Sequence, residues 1–191
     1  MEQLLNKLSI IAKTHLHPYG THGFEHTARV TDLCRIIGEK RNADLNVLLP
    51  AALLHDIGRG NENHASVGAR MAKIELEELN LKAPKIERIC NAIATHSFSG
   101  GKEPQSHEAK ILSDVDKLDA LGAIGIYRAA MYSGEHLRSY EEFIDHFHEK
   151  LLKLQGLMFT EEARKIAKDR TSYMQSYLLQ LDKELKEELW D

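Results

Sequence analysis

Apolar residues recur every three to four positions along nearly the whole chain, and no stretch alternates with the two-residue rhythm of a strand. The pattern predicts an all-α protein, an irregular bundle of about eight or nine helices. An amphipathic helix is expected over 2–16, ending before His17-Pro18-Tyr19-Gly20. A second starts near His22 and reaches about Arg41, with Val30, Leu33, Cys34 and Ile37 as its apolar stripe. The third, VLLPAALLHD, is apolar almost all round and should therefore be central. Asp44 or Asn46 can start it. Pro50 must lie in its first turn or kink it, and Gly58 is placed to stop it. Further helices are expected at about 63–79, 84–96, 107–120, 121–132 and 140–155, the last behind a Ser139/Glu142 capping-box pattern. Thr160, followed by Glu161 and Glu162, opens a long final helix toward 188. Between the fifth and sixth lies SFSGGKEPQ, a loop suited to be either a lid or a plain exposed connection.

Composition narrows the picture without deciding it. The 191 residues suffice for one domain with a substantial core, and no repeat, linker or composition shift marks a second. Hydrophobic residues make up 42% and charged residues 28%, and the net charge is -4. There is no global basic field to hold a duplex, so no duplex nucleic acid is expected as partner. The N-terminal MEQLLNKLSIIAK is too polar for a signal peptide, and no apolar run approaches the roughly 18 residues of a spanning helix. Cys34 and Cys90, both on apolar stripes, read as buried thiols in a reducing compartment. A cytoplasmic protein without membrane contact is the expectation.

The 11 histidines change the picture through their positions. His26 lies four residues before Val30 on the inward stripe of the second helix. His55 ends the most apolar helix, with Asp56 directly after it. His64 opens the line Val67, Gly68, Met71, His96 continues Ile86, Ile89, Cys90, Ile93, and Asp116 lies four after Leu112. Taken singly, each has an ordinary explanation. A lone buried histidine is usually a hydrogen-bonded core residue, Asp56 could face water at a helix end, and Asp116 could pair with Lys117 or Arg128. Six ionisable groups on inward positions of five helices are harder to explain that way, because a buried carboxylate is costly unless paired or metal-bound. A divalent cation supplies the missing charge and takes imidazole nitrogens and carboxylate oxygens as ligands.

With these residues in view, the chain resembles the HD superfamily of metal-dependent phosphohydrolases. The resemblance rests on GFEHTARV with His26, AALLHDIG with His55 and Asp56, and SDVDKLDALGAIGIYRA with Asp116, in that order. The later HFHEKLLKLQGLM and TEEARKIAKDR look like the YedJ/YpgQ-like branch. The resemblance covers nearly the whole chain and implies one HD domain over 1–191. Its metal-binding core would span about 22–130, with a helical extension over about 131–191. It also implies a divalent metal (Mn, Fe, Co, Ni or Mg) on His26, His55, Asp56 and Asp116. The implied reaction is hydrolysis of a phosphoester or phosphoanhydride of a small phosphorylated substrate, a nucleotide, with a nucleoside triphosphate cleaved to monophosphate and pyrophosphate as the sharper form. A dinucleoside polyphosphate hydrolase and a non-catalytic nucleotide sensor are the alternatives on the same fold, and a structural helical protein is the reading without chemistry.

Two departures bear on this. Thr21-His22-Gly23 stands where many relatives carry an aspartate ahead of the first ligand, and His22, four before His26, is placed to reach the metal's surroundings. His64 and His96 match the extra histidines of HD proteins with two metals, in which Asp56 would bridge ions roughly 3.5–4 Å apart. No Gly-Tyr-Pro triplet follows, against the cyclic-dinucleotide branch. Phosphoryl oxygens need cations near them, and Lys117, Arg59 and Arg29 lie closest to ligand positions in the sequence. His15, His17, His107, His136, His146 and His148 are expected to be surface or structural.

Overall fold

A computed structural model describes residues 1–97 and 103–186. Among these the chain forms nine α-helices and no strand. They are α1 (Glu2–His15), α2 (Phe24–Lys40), α3 (Leu45–Leu54), α4 (His64–Glu78), α5 (Ala83–Ala94), α6 (His107–Leu118), α7 (Gly122–Glu135), α8 (Tyr140–Glu149) and α9 (Glu161–Leu185). The all-α expectation holds throughout. By contact the chain divides into two compact units, Met1–Asp116 and Lys117–Asp191, the boundary falling inside α6. Gly100, Gly101 and Lys102 of the expected loop lie outside the described residues.

In the first unit α3 is the central rod. Residues 47 to 54 are buried without a break, so α1, α2, α4 and α5 can all pack on it. Asp44 is its N-cap, its carboxylate accepting the Asn46 N–H at 3.0 Å. Pro50 is neither at the start nor at the end of this helix. It is the sixth residue, so the Asn46 carbonyl has no amide four residues on to accept from. The helix ends at Leu54, four residues short of the expected Gly58 stop, and His55 to Gly60 form turns. That early end turns His55 and Asp56 away from the helical ladder and toward the first turn of α4.

Gly58 permits this. A Cβ there would lie 2.8 Å from Gly68 Cα and closer still to Gly68 N and His64 O. The turn after α3 and the first turns of α4 therefore meet backbone to backbone. α5, with Pro84 in its first turn, lies along both α3 and α4.

In the second unit α7 packs on α9, and α8 continues into a 3-10 segment, Leu151–Leu157, that rests on α9. The single helix expected over 140–155 is thus broken at Lys150, whose φ of -129° and ψ of -63° leave the α region. The capping box at Ser139 forms reciprocally: Glu142 N–H donates to Ser139 Oγ at 3.2 Å, and Ser139 N–H donates to Glu142 Oε2 at 2.9 Å. Thr160 caps α9 through the Ala163 N–H. Cys34 is buried, whereas Cys90 is only half-buried in the groove between α4 and α5, where the helical stripe alone predicts burial.

Candidate metal centre

The six inward-facing residues converge in the first unit. His26 comes from the first turn of α2, His55 and Asp56 from the end of α3, His64 from the first residue of α4. His96 follows α5 and Asp116 stands near the end of α6. His26, His55 and Asp56 are fully buried and His96 almost so. The side chains of His64, Asp116, Arg59 and His22 are 15%, 22%, 32% and 37% exposed, which places the mouth of the site on their side. The rings of His22, His26, His55, His96 and His64 follow one another edge to face, centroids 5.6, 5.2, 5.0 and 5.5 Å apart.

The donor atoms fall into two sets that share Asp56. His26 Nε2 lies 3.2 Å from His55 Nε2, 3.3 Å from Asp116 Oδ1 and 3.7 Å from Asp56 Oδ2. His55 Nε2 lies 3.7 Å from Asp56 Oδ2 and 3.9 Å from Asp116 Oδ1. Bonds of about 2.0–2.2 Å to a central cation put tetrahedral donors about 3.3–3.6 Å apart, so this spacing fits one. The other Asp56 oxygen, Oδ1, faces His96 Nε2 at 3.7 Å and His64 Nε2 at 3.8 Å. Asp56 Oδ1 and His96 Nε2 are buried with no hydrogen-bond partner, a costly condition that a cation between them would relieve. The donor chemistry and the orphaned atoms thus fit a divalent metal.

The ring tautomers point the same way. His55 Nδ1 donates to the Ala52 carbonyl at 2.7 Å and His96 Nδ1 to the Ile93 carbonyl at 2.6 Å, leaving each Nε2 lone pair directed into the cluster. Burial lowers the His55 pKa to about 4 against the pull of Asp56, and burial with the nearby Arg59 lowers His64 to about 4. Both are neutral at pH 7, as a metal ligand must be. His96 is raised, because Asp56 and Asp116 more than offset the effect of its burial. Burial favours the neutral form of Asp56 and Asp116, yet the surrounding imidazoles, and Arg59 beside Asp56, hold both well below the usual carboxylate range. Both carboxylates are therefore anionic donors at pH 7, not proton carriers.

The basic residues are placed less uniformly. Arg59 donates to Asp56 Oδ2 from Nη2 at 2.9 Å and from Nε at 3.3 Å, and its Nη2 lies 2.7 Å from His22 Nδ1. His22 is itself 3.3 Å from Asp56 Oδ2, nearer than a peripheral role requires. Arg29 is half-buried on α2, one turn past His26. Lys117 is buried on α6 with its ammonium 5.5 Å from the centroid of the Phe159 ring. Arg128, considered from sequence as a partner for Asp116, instead pairs with Asp119 at 2.9 Å. Of the remaining histidines, His15 approaches Glu75, His107 contacts the Arg41 carbonyl and His136 stacks on Tyr132. The buried Cys34 thiol is raised well above its ordinary pKa by burial and by Asp116 and Asp114, so it is no nucleophile at neutral pH.

Comparison with known proteins agrees with the geometry. Residues 23–121, just over half of the chain, match the HD domain family. The chain belongs to the HD superfamily of hydrolases. This HD protein is 34% identical over 173 residues to Bacillus subtilis YpgQ, covering 86% of this chain and 84% of YpgQ. The crystal structure of YpgQ in complex with ADP superimposes with a TM-score of 0.82 at 32% identity, over 95% of each chain. A Lactobacillus plantarum structure gives 0.83 at 32% identity over 97% of this chain and 98% of that one. An HD-superfamily hydrolase from Bacillus thuringiensis gives 0.78 at 29% identity over the same shares. No helix among the described residues is long and apolar enough to cross a membrane.

Proposed function

We propose that this HD protein is a metal-dependent phosphohydrolase acting on a nucleotide, cleaving a nucleoside triphosphate to monophosphate and pyrophosphate. The observation that carries the reading is the placement of Asp56, whose Oδ2 faces His26 and His55 while Oδ1 faces His96 and His64. His26, His55, Asp56 and Asp116 would hold one ion, and Asp56, His64 and His96 a second, with Asp56 as the bridge. Such ions bring bound water toward ionisation at neutral pH and polarise a phosphoryl oxygen.

The chain's own groups supply the rest. Arg59, part-exposed at the mouth, places a cation where the oxygens of an incoming phosphate would lie, and Arg29, one turn past His26 on α2, is the second candidate cation. His22 accepts from the Arg59 guanidinium and so restrains its orientation. The buried rings of His26, His55 and His96 keep bulk water from the inner donors. A nucleotide as substrate is supported by YpgQ, which crystallised with ADP. The test has two parts. Elemental analysis of protein never exposed to chelator should find stoichiometric divalent metal. A screen of mono-, di- and triphosphates and simple diesters with Mn, Co, Ni and Mg should then show triphosphates turned over fastest. Protein that takes up no divalent ion refutes the metal, while rapid diester cleavage with every triphosphate left intact refutes the substrate and spares the metal.

A further inference from the structure

The four helices that present His26, His55 with Asp56, His96 and Asp116 are tied together at the ends remote from these residues. α3 runs from its cap at Asp44 to His55, a span of about 16 Å at 1.5 Å per residue, and Glu108 to Asp116 on α6 spans about 12 Å. Arg88 to His96, along α5 and the two residues after it, covers a similar length, and α2 runs the other way, from His26 to its C-cap at Arg41.

These remote points meet in one hydrogen-bonded clasp. Glu108 Oε1 accepts the Asp44 backbone N–H at 3.0 Å, and its Oε2 lies 3.6 Å from Arg88 Nη2. Arg88 Nη1 donates to Asp44 Oδ2 at 2.8 Å. His107 Nε2, one residue before Glu108, lies 3.1 Å from the Arg41 carbonyl oxygen. Glu108 is only 7% exposed, so its carboxylate is committed to these partners, whereas the Arg88 side chain is 51% exposed.

We propose that Glu108 and Arg88 are positioning residues for the metal centre, fixing the axial register of α3, α5 and α6 from the ends opposite the ligands. The proposal rests on the metal reading above. An α-helix transmits an axial slip along its length with little loss, because its turns are hydrogen-bonded in series, α3 lacking only the bond that Pro50 removes. Metal ligands tolerate displacements of only about 0.2 Å before geometry degrades. Releasing the clasp therefore costs ligand alignment at His55, His96 and Asp116 while leaving every ligand in the chain.

The test uses the full chain and Mn2+ alone as probe, read by competition against a chelating dye, with the apo Tm measured in parallel. The variants are Glu108→Ala, Glu108→Gln and Arg88→Ala, and Ser139→Ala, which removes the α8 cap, is the control for lost stability. Global destabilisation does not change the affinity of molecules that remain folded, so a purely structural role would move Tm and leave Kd alone. Glu108→Ala is expected to weaken Mn2+ binding about tenfold, at the low end of the ~10–100-fold cost of outer ligand supports. Glu108→Gln, which keeps an acceptor for Asp44 N–H, should weaken it less. Arg88→Ala should shift Kd in the same direction. The double variant should bind no worse than Glu108→Ala alone, the non-additivity of a single unit. Ser139→Ala should lower Tm and leave Kd unchanged. If Glu108→Ala does not fold, Arg88→Ala decides. A Kd within twofold of wild type in every folded clasp variant overturns the proposal. Wild-type protein that binds no Mn2+ overturns the metal reading itself and this proposal with it.

Discussion

Gly58→Ala probes the contact that brings His64 to Asp56. The backbone φ of Gly58 is not in the left-handed region, so alanine is not strained there and the effect is purely one of space. The added Cβ would stand 2.8 Å from Gly68 Cα, against about 3.5–4.0 Å for relaxed carbon contact, and nearer still to Gly68 N and His64 O. These neighbours are backbone, so α4 must retreat from the turn by roughly 1 Å. Overpacking of this kind costs about 1–3 kcal/mol, which for a chain of this size lowers Tm by roughly 2–12 °C. Because His64 is the first residue of α4, the retreat also pulls its Nε2 away from Asp56 Oδ1, now 3.8 Å distant. Calorimetry of the apo protein and metal titration of the same sample should show both effects, with binding of the second ion weakened and the first retained. Gly68→Ala is the graded companion. Its Cβ would meet His55 O at 3.2 Å and Gly58 N at 3.3 Å, a fit that neighbours can absorb by a few tenths of an ångström. Gly58→Ala should accordingly be clearly worse. A Gly58→Ala protein that melts within 1 °C of wild type (about the error of a scan) and binds two ions normally would refute the backbone contact.

Asp56→Ala is expected to abolish hydrolysis and to lower the affinity for both ions, while His64→Ala or His96→Ala should remove only the second; unchanged metal content in both histidine variants would leave a single ion. Gly134→Ala, with nothing within 4 Å of the new methyl inside α7, should raise Tm, reflecting the ~0.5–1 kcal/mol by which alanine exceeds glycine in a helix. The Asp44 carboxyl is subject to burial, which raises it, but Arg88 and the Asn46 N–H hold it below its ordinary value. A depressed folded pKa contributes stability above the unfolded pKa of about 3.9 and loses it as pH falls through the folded value. The Tm difference between wild type and Asp44→Asn should therefore be full at pH 5–7 and shrink below about pH 4, and a difference that grows on acidification would contradict the assignment.

Much of the candidate site is legible in the sequence because its residues violate helical patterning. His26, His96 and Asp116 stand where an apolar side chain belongs, and the structure buries or half-buries each of them. The contact between Asp56, Arg59 and His22 shows the limit of that reasoning. Arg59 and His22 are 37 positions apart, and nothing local to either announces the other. The α3 end was legible only to within a turn, since no Gly or Pro stands between Leu54 and Gly58 while the backbone leaves the helix at Leu54 to meet α4. Cys90 follows the apolar stripe of α5 faithfully, yet the open groove between α4 and α5 leaves it half-buried.

By itself the sequence determined the helical class, the caps at Ser139 and Thr160, and which six ionisable residues occupy inward helical positions. These depend on interactions within a few residues, where side-chain chemistry and a 3.6-residue period act directly on the backbone. Only the tertiary structure decided which Asp56 oxygen faces which imidazole pair, that Arg59 and His22 stand together beside Oδ2, and that Glu108 clasps Asp44 and Arg88 at the opposite end. Those outcomes follow from how closely whole helices approach, as at Gly58 and Gly68, and that distance is set by packing between segments far apart in the chain.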